Sequence, residues 1–244
     1  MRKILLTIFI INILFHSIAN SNSNLSALDK AILNDAIRNY ILDNPEIIRD
    51  AIILLQERDE IALIKEQRKQ IELFEKELLY PKNKTIIGNP DGKLIITEFF
   101  DYNCGYCKIM FSRINNIIKK NEKIKVVLIE LPILGDKSTF ASKVALASLK
   151  QDKYSEFHQG LISFKGTLDT DTIFSIAKNN KININKLKVD MRDPEIDKLI
   201  EKNKLIAKKL KITGTPAIII DNKLFPGAID EEEINNLLLD LDKN

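Results

Sequence analysis

Cysteine is nearly missing from this chain: its 244 residues include two, Cys104 and Cys107, with Gly105 and Tyr106 between them. Closing so small a loop removes little entropy from the unfolded chain, so the pair is a poor structural staple. Histidine is as scarce, with His16 near the start and His158 in "YSEFHQG". A structural zinc site wants four nitrogen or sulfur ligands. With His16 set aside in the expected leader, Cys104, Cys107 and His158 fall short, and no carboxylate that could complete the set has the usual paired spacing. No metal and no cofactor is expected, and His158 reads as a surface or packing residue on a helix. An excess of one charge is also lacking. The formal net charge is +3, and setting aside Arg2 and Lys3 leaves 35 basic against 34 acidic residues. No strong field points to nucleic acid or to an anionic membrane.

A long apolar run is absent as well. Met1-Arg2-Lys3 precedes the apolar stretch Ile4–Phe15, and Ser17-Ile18-Ala19 leads into the polar "NSNSN". A basic start, a short apolar core and small residues at the last and third-last positions predict a signal peptide over residues 1–19. The run is short for a membrane span; the alternative is an uncleaved inner-membrane anchor. On either reading the folded part lies outside the cytosol, where disulfides persist.

Glycine does not occur between Leu25 and Tyr80, and apolar residues recur there at helical spacing. One helix is predicted over Leu25–Leu42. "DNPEII" interrupts it, with Asn44 suited to an N-cap, Pro45 to the first helical position and Glu46 to the positive helix end. A second helix reaches toward Leu79, carrying Leu54, Ile61, Ile64, Ile71 and Leu78 on one stripe. Arg68 and Glu75 break that stripe, so a strict coiled coil is not indicated. Such a helix must bury its stripe on its own domain or on another copy of the chain, and self-association is the favoured expectation. Residues 20–84 are therefore taken as a helical oligomerisation segment with a linker.

From Thr85 the pattern changes. Gly88-Asn89-Pro90-Asp91-Gly92 is a turn cluster between β-prone runs. Leu94–Phe100 reads as a buried strand, Cys107–Lys120 as a helix and Lys123–Leu131 as a second strand, a β-α-β unit with parallel strands. Residues 136–211 read as mainly helical, with breaks near Gly166, Asn179-Asn180 and Asp193-Pro194. Two short strands, Ala217–Ile220 and Lys223–Phe225, and a helix from Glu231 to Leu241 close the chain. The class is α/β, with a helical insertion in a catalytic domain over 85–244 and a helical segment before it.

Cys104 falls where a strand gives way to a helix. Open backbone N–H groups and the positive helix end favour a thiolate there and lower its pKa. Cys107, one turn on, lies within resolving distance. A C-x-x-C between a strand and a helix of a β-α-β unit points to redox chemistry. An outer thiolate attacks a substrate disulfide, and the inner thiol releases the mixed disulfide. Glu98 shares a strand face with Ile96 and Phe100, so it is either half-exposed or buried with a raised pKa. Buried near the pair, it would accept the proton of Cys107; Glu130 holds a similar place on the next strand. Pro216, in "ITGTPAIII", opens a strand, where its missing N–H is tolerable.

"EFFDYNCGYCK", "ELPILG", "TGTPAIIIDNKLFPGAID" and the acidic terminal helix together resemble the DsbA-like oxidoreductases of thioredoxin fold. Within them, "YILDNPEIIRDAI" is similar to the oligomerisation segment of the ScsC-like branch, bacterial periplasmic proteins with a helical N-terminal extension. The resemblance implies a nucleophile at Cys104, a resolving thiol at Cys107, a Cys104–Cys107 disulfide when oxidised, and a cis-Pro at Pro216. It places Glu98 on the family's buried acid, and Thr215 where a backbone meets an extended substrate. Gly105 and Tyr106 stand where DsbA oxidases carry Pro-His, and Thr215 where they carry Val, a combination similar to disulfide isomerases. Without an imidazole beside Cys104, a couple less oxidising than DsbA's is expected.

The resemblance also implies a periplasmic enzyme acting on exported proteins with thiols or disulfides. Its membrane redox partner would be a DsbD-like reductase or a DsbB-like oxidase, and its assembly a homo-oligomer such as the trimers of ScsC-like relatives. Isomerase or reductase activity is favoured. A dedicated oxidase and a noncatalytic adaptor or holdase are the alternatives.

Overall fold

The computed structural model describes residues 26–82 and 84–243; the signal peptide expected over 1–19 lies outside them. None of the described helices is long and apolar enough to cross a membrane. The chain divides into two units between Asp59 and Glu60.

In the first unit, helix α1 (Ala27–Asp43) opens with a capping box. The Ser26 hydroxyl accepts from the Asp29 N–H, and the Asp29 carboxylate accepts from the Ser26 N–H, satisfying two N–H groups at the helix start. Helix α2 (Glu46–Leu73) follows, its residues from Glu60 on belonging to the second unit. Asn44 takes a different part from the one its residue type suggests. Its Nδ2 donates to the Tyr40 carbonyl at 2.8 Å, as does its own backbone N–H at 3.0 Å. Its side chain thus closes α1, whose last carbonyls offer open acceptors within its reach, while its own carbonyl accepts from the Ile47 N–H at 3.2 Å in the first turn of α2. Residues 28–59 include none that is buried.

The second unit is built on a five-stranded sheet: β1 (Ile86–Gly88), β2 (Leu94–Phe100), β3 (Ile124–Glu130), β4 (Ala217–Ile220) and β5 (Lys223–Pro226), in the order β1-β3-β2-β4-β5. β2 and β3 are parallel, joined over helix α4 (Gly105–Lys120), and the other pairings are antiparallel. Successive side chains of a strand face opposite ways, and this sheet is covered on both sides. Ile96, Phe100, Val126, Leu128 and Ile218 pack on one face with Met110 and Ile114 of α4 and with the helical block. Phe99, Val127, Ile129, Ala217 and Ile219 pack on the other with Ile71 of α2 and Leu78 of α3 (Glu75–Leu79). Strands apolar at most positions on both faces, such as "LIITEFF", are what a sheet buried on both faces requires.

The helical block between β3 and β4 consists of α5 (Asp136–Ala147), a 3₁₀ turn (Ser148–Gln151), α6 (Tyr154–Ile162), α7 (Thr170–Asn179), α8 (Ile184–Asp190) and α9 (Pro194–Lys209). Asp169, Asn183 and Asp193 cap α7, α8 and α9 through side-chain acceptors. Helix α10 (Glu231–Asp242) ends the described chain, with Glu231, Glu232 and Glu233 in its first turn, where negative charge is favourable. The class is mixed α/β, a five-stranded sheet with helices on both faces and a helical segment before it in the sequence.

Candidate functional site: a dithiol at a helix N-terminus

β2 ends at Phe100, and three residues carry the chain to Cys104, which precedes α4. Asp101 organises them. Its Oδ1 accepts from the Asn103 N–H at 2.8 Å and its carbonyl accepts from the Cys104 N–H at 3.1 Å, an Asx-turn arrangement. Its Oδ2 reaches the following loop and accepts from the N–H groups of Ile133 and Leu134, at 2.9 and 3.0 Å. Cys104 then serves as the N-cap of α4, in extended conformation and with no side-chain capping bond. The first-turn N–H groups therefore stay uncapped beside its sulfur, at a place that favours negative charge.

Both cysteines are free thiols. Cys104 is 8% exposed and Cys107 fully buried. The Cys104 Sγ donates to the Thr215 carbonyl at 3.1 Å, and the Thr215–Pro216 bond is cis. Thus the loop before β4 faces the helix end that carries the thiols. Burial pushes the Cys107 thiol well above its ordinary range; the nearby Glu98 adds to the rise, and a backbone hydrogen bond at Asp101 opposes it. Glu98 is buried, and among the described residues its Oε1 has no hydrogen-bond partner. Burial, then the charge of Cys104, lifts its pKa to about 8. Of the two placements open to Glu98, half-exposed or buried, the structure takes the second.

Beside the thiols runs a groove of about 290 Å³ lined by Tyr106, Ile109, Thr215, Pro216, Gly227 and Ala228. Tyr106 is 67% exposed at its rim, and Gly105 would meet nothing within 4 Å if it bore a Cβ. Arg113 closes the groove's edge, paired with Asp230 and donating to the Ile229 carbonyl, both at 2.8 Å. Cys104, Cys107, Glu98, Thr215 and Pro216 are thus brought together, with Gly105 and Tyr106 outermost.

Glu130 stands apart from the thiols. Its Oε1 accepts from the hydroxyls of Tyr102 and Tyr154, each at 2.9 Å, and its Oε2 from Ser142 at 2.7 Å. Burial raises its pKa to about 8 in spite of those three donors. His158, also buried, meets Tyr102 through Nδ1 at 3.1 Å, and burial lowers its pKa to about 3. It is a packing histidine, held among Phe100, Tyr102, Phe111 and Tyr154.

Residues 95–239 match the family model described as the DSBA-like thioredoxin domain, more than half of the chain. The chain belongs to the DsbA-like family. Family members are thiol–disulfide oxidoreductases, so this chain is an oxidoreductase of thioredoxin fold. Residues 29–62 match a second model, the N-terminal domain of the copper resistance protein ScsC. A linker-deleted variant of Proteus mirabilis ScsC is similar over 92% of this chain and 100% of its own, with 29% identity and a TM-score of 0.69. A thioredoxin-like oxidoreductase from Silicibacter pomeroyi shows 31% identity over 69% of this chain and 98% of its own, with a TM-score of 0.66. A Bacillus cereus relative, a probable disulfide bond formation protein D, is 26% identical over 57% of this chain and 70% of its own.

Against the DsbA-like pattern, the neighbourhood of Cys104 is the notable departure. Among the described residues His158 is the sole imidazole, and it is buried and bound to Tyr102. The residues between the cysteines put an open glycine and an exposed phenol at the entrance instead. Reading the residues alone missed Asp101. The signal for its Asx turn is local, an Asp two residues before Asn103, but its grip on Ile133 and Leu134 spans more than thirty residues.

Proposed function

We propose that this is an exported, periplasmic thiol–disulfide oxidoreductase with Cys104 as nucleophile and Cys107 as resolving thiol, working mainly as an isomerase or reductase. The observation that carries the reading is the pairing of a Cys104 thiol at an uncapped helix N-terminus with a fully buried Cys107. In the reaction the Cys104 thiolate attacks a substrate disulfide. A Cys104–substrate bond forms as the substrate S–S bond breaks, and the departing sulfur takes a proton. Cys107 then gives its proton to the ionised form of Glu98 and attacks Cys104, so the substrate leaves as a thiolate and the enzyme holds the Cys104–Cys107 disulfide. For isomerisation, a substrate thiol attacks the mixed disulfide first and the enzyme returns reduced. Thr215 and Pro216, with the groove by Tyr106, receive an extended segment of substrate.

The direction rests on what faces the thiols. No imidazole stands between the cysteines to stabilise the reduced form, and a weakly stabilised reduced form makes a weak oxidant. A DsbD-like reductase then keeps the pair reduced. The resemblance to disulfide bond formation protein D of Bacillus cereus favours the second reading, an oxidase recharged by a DsbB-like partner. Trapping cellular thiols with acid and an alkylating mass tag separates the two. Mostly reduced cysteines are expected; a mostly oxidised pair would establish the oxidase. Cys104→Ser is expected to abolish exchange, which also excludes a noncatalytic adaptor, and Cys107→Ser to accumulate mixed disulfides visible on non-reducing gels.

A further inference from the structure

The loop that meets Cys104 runs from Leu210 to Pro216, and both of its ends rest on the helices that precede the sheet. At its start, α9 ends with Leu210 as C-cap, and Lys211 adopts a left-handed φ of 59°. The last carbonyls of a helix lack partners within it. Here the Ile212 N–H returns to the Ala207 carbonyl at 2.9 Å and the Lys211 N–H to the Lys208 carbonyl at 3.2 Å, closing the helix end locally. The Leu210 carbonyl is satisfied from outside. The Gln67 side chain of α2, 143 residues away in the chain, donates its Nε2–H to it at 2.9 Å. At the loop's other end Ala217, next to Pro216, shares an apolar cluster with Ile71 of α2, Leu78 of α3 and Leu210. The Thr97 hydroxyl of β2 donates to the Leu78 carbonyl at 2.6 Å, tying α3 to the same face.

We propose that Gln67 is a positioning residue of the dithiol site: by capping the end of α9 it fixes the start of the loop that presents Thr215 and Pro216 to Cys104. The inference rests on the oxidoreductase reading and adds a determinant of peptide recognition to it. Gln67 is half-buried and touches neither thiol. It acts through the four residues between Leu210 and Thr215, of which Lys211, Thr213 and Gly214 are exposed. Ile212 packs on the same apolar cluster as Ala217, and a Cβ on Gly214 would meet nothing within 4 Å, so Thr213 and Gly214 owe their place to the anchored residues on either side. An extended peptide must align with the backbone at Thr215, whereas a small disulfide needs only the Cys104 sulfur. Losing the anchor therefore penalises the peptide more.

The experiment compares second-order rate constants of the full-length reduced protein with two probes. One is a ten-residue peptide whose single cysteine is a glutathione mixed disulfide, and the other is glutathione disulfide itself. Gln67→Leu removes the donor, and Gln67→Glu removes it at nearly constant shape. In both, the ratio of peptide to glutathione rates is expected to fall about three- to tenfold, the range of one ordinary hydrogen bond. Gln67→Lys keeps a donor on a chain of similar reach and is expected to hold the ratio within about twofold of wild type. Mere destabilisation would lower both rates together, so an unchanged ratio in the Leu and Glu variants overturns the proposal. A ratio in Gln67→Lys as low as in Gln67→Leu does the same. Wild-type protein inert toward both probes would sink the oxidoreductase reading, and the positioning role with it.

Discussion

Glu98 lies among apolar neighbours on the central strand, next to two thiols and without a partner for Oε1. A carboxyl in that setting costs stability when ionised. In the folded chain it holds its proton up to about pH 8, against an ordinary 4.5 when unfolded. Folding therefore takes up a proton between those values, and stability falls as pH rises through the window, by about 1.4 kcal/mol per pH unit for one such group. Glu130, raised to about 8 by burial, contributes in the same sense. Urea denaturation of the reduced protein at pH 5, 6.5 and 8 is expected to show this decline, and Glu98→Gln to remove part of it. An undiminished slope in that variant would mean that Glu98 is not the buried acid described. The same variant bears on catalysis. Release of mixed disulfide by Cys107 should quicken in wild type as Glu98 ionises near pH 8, and this pH-dependent part should vanish in Glu98→Gln. Loss of a positioned base typically costs on the order of a hundredfold, read by quenched-flow resolution of a preformed mixed disulfide.

At the scale of elements, the strands and α4 were legible because their signals are local. "LIITEFF" and "IKVVLIE" are mostly apolar, β-prone runs bounded by turn residues, and β2 and β3 occupy them to within a residue of the expected ends. Where the signal is tertiary the reading stopped short. The long N-terminal helix ends at Leu73, with Phe74 leading into α3, although neither Gly nor Pro marks the break. The 3₁₀ turn at Ser148–Gln151 ends at Asp152 with a left-handed φ of 53°, again without glycine. Asn44, Gln67 and Asp101 are ordinary polar residues until distant carbonyls or N–H groups give them partners. The apolar stripe expected along the second helix, now shared by α2 and α3, also divides in a way that periodicity does not show. Ile61 is 67% exposed and Ile64 41%, while Ile71 and Leu78 are fully buried under the sheet. These last two belong to the core of the catalytic unit. Leu78→Ala is expected to lower stability by about 2–4 kcal/mol in urea denaturation, the cost of a cavity in a packed site. Leu239→Ala, on an exposed face of α10 at 56% exposure, should stay within about 0.5 kcal/mol. Equal effects at the two positions would contradict the packing of α3 on the sheet.

For the whole molecule, the question is what a chain with one dithiol per copy does with an apolar N-terminal segment. None of residues 28–70 is buried, and Leu28, Ile32, Tyr40, Leu42 and Leu55 are each 58–70% exposed. Soluble chains rarely leave so many large apolar side chains uncovered unless another molecule covers them. We propose that further copies of the same chain cover them; residues 29–62 match the ScsC N-terminal domain. Joining several dithiols in one particle raises their effective concentration around a bound substrate without altering the chemistry of any one of them. Reduction of a simple disulfide needs one dithiol. Reshuffling a scrambled protein needs repeated attack before the substrate escapes, so assembly should matter for the second task alone. Ile32→Asp combined with Leu55→Asp places charge on two exposed apolar positions far from the sheet in sequence. Sedimentation is expected to show the wild type as an oligomer and the double variant as a monomer. The variant should reduce glutathione disulfide at a rate within about twofold of wild type per dithiol, while its recovery of a scrambled multi-disulfide substrate falls at least about tenfold. A monomeric wild type, or a monomeric variant that reshuffles as well as the parent, would show that the segment serves something other than multivalent isomerisation.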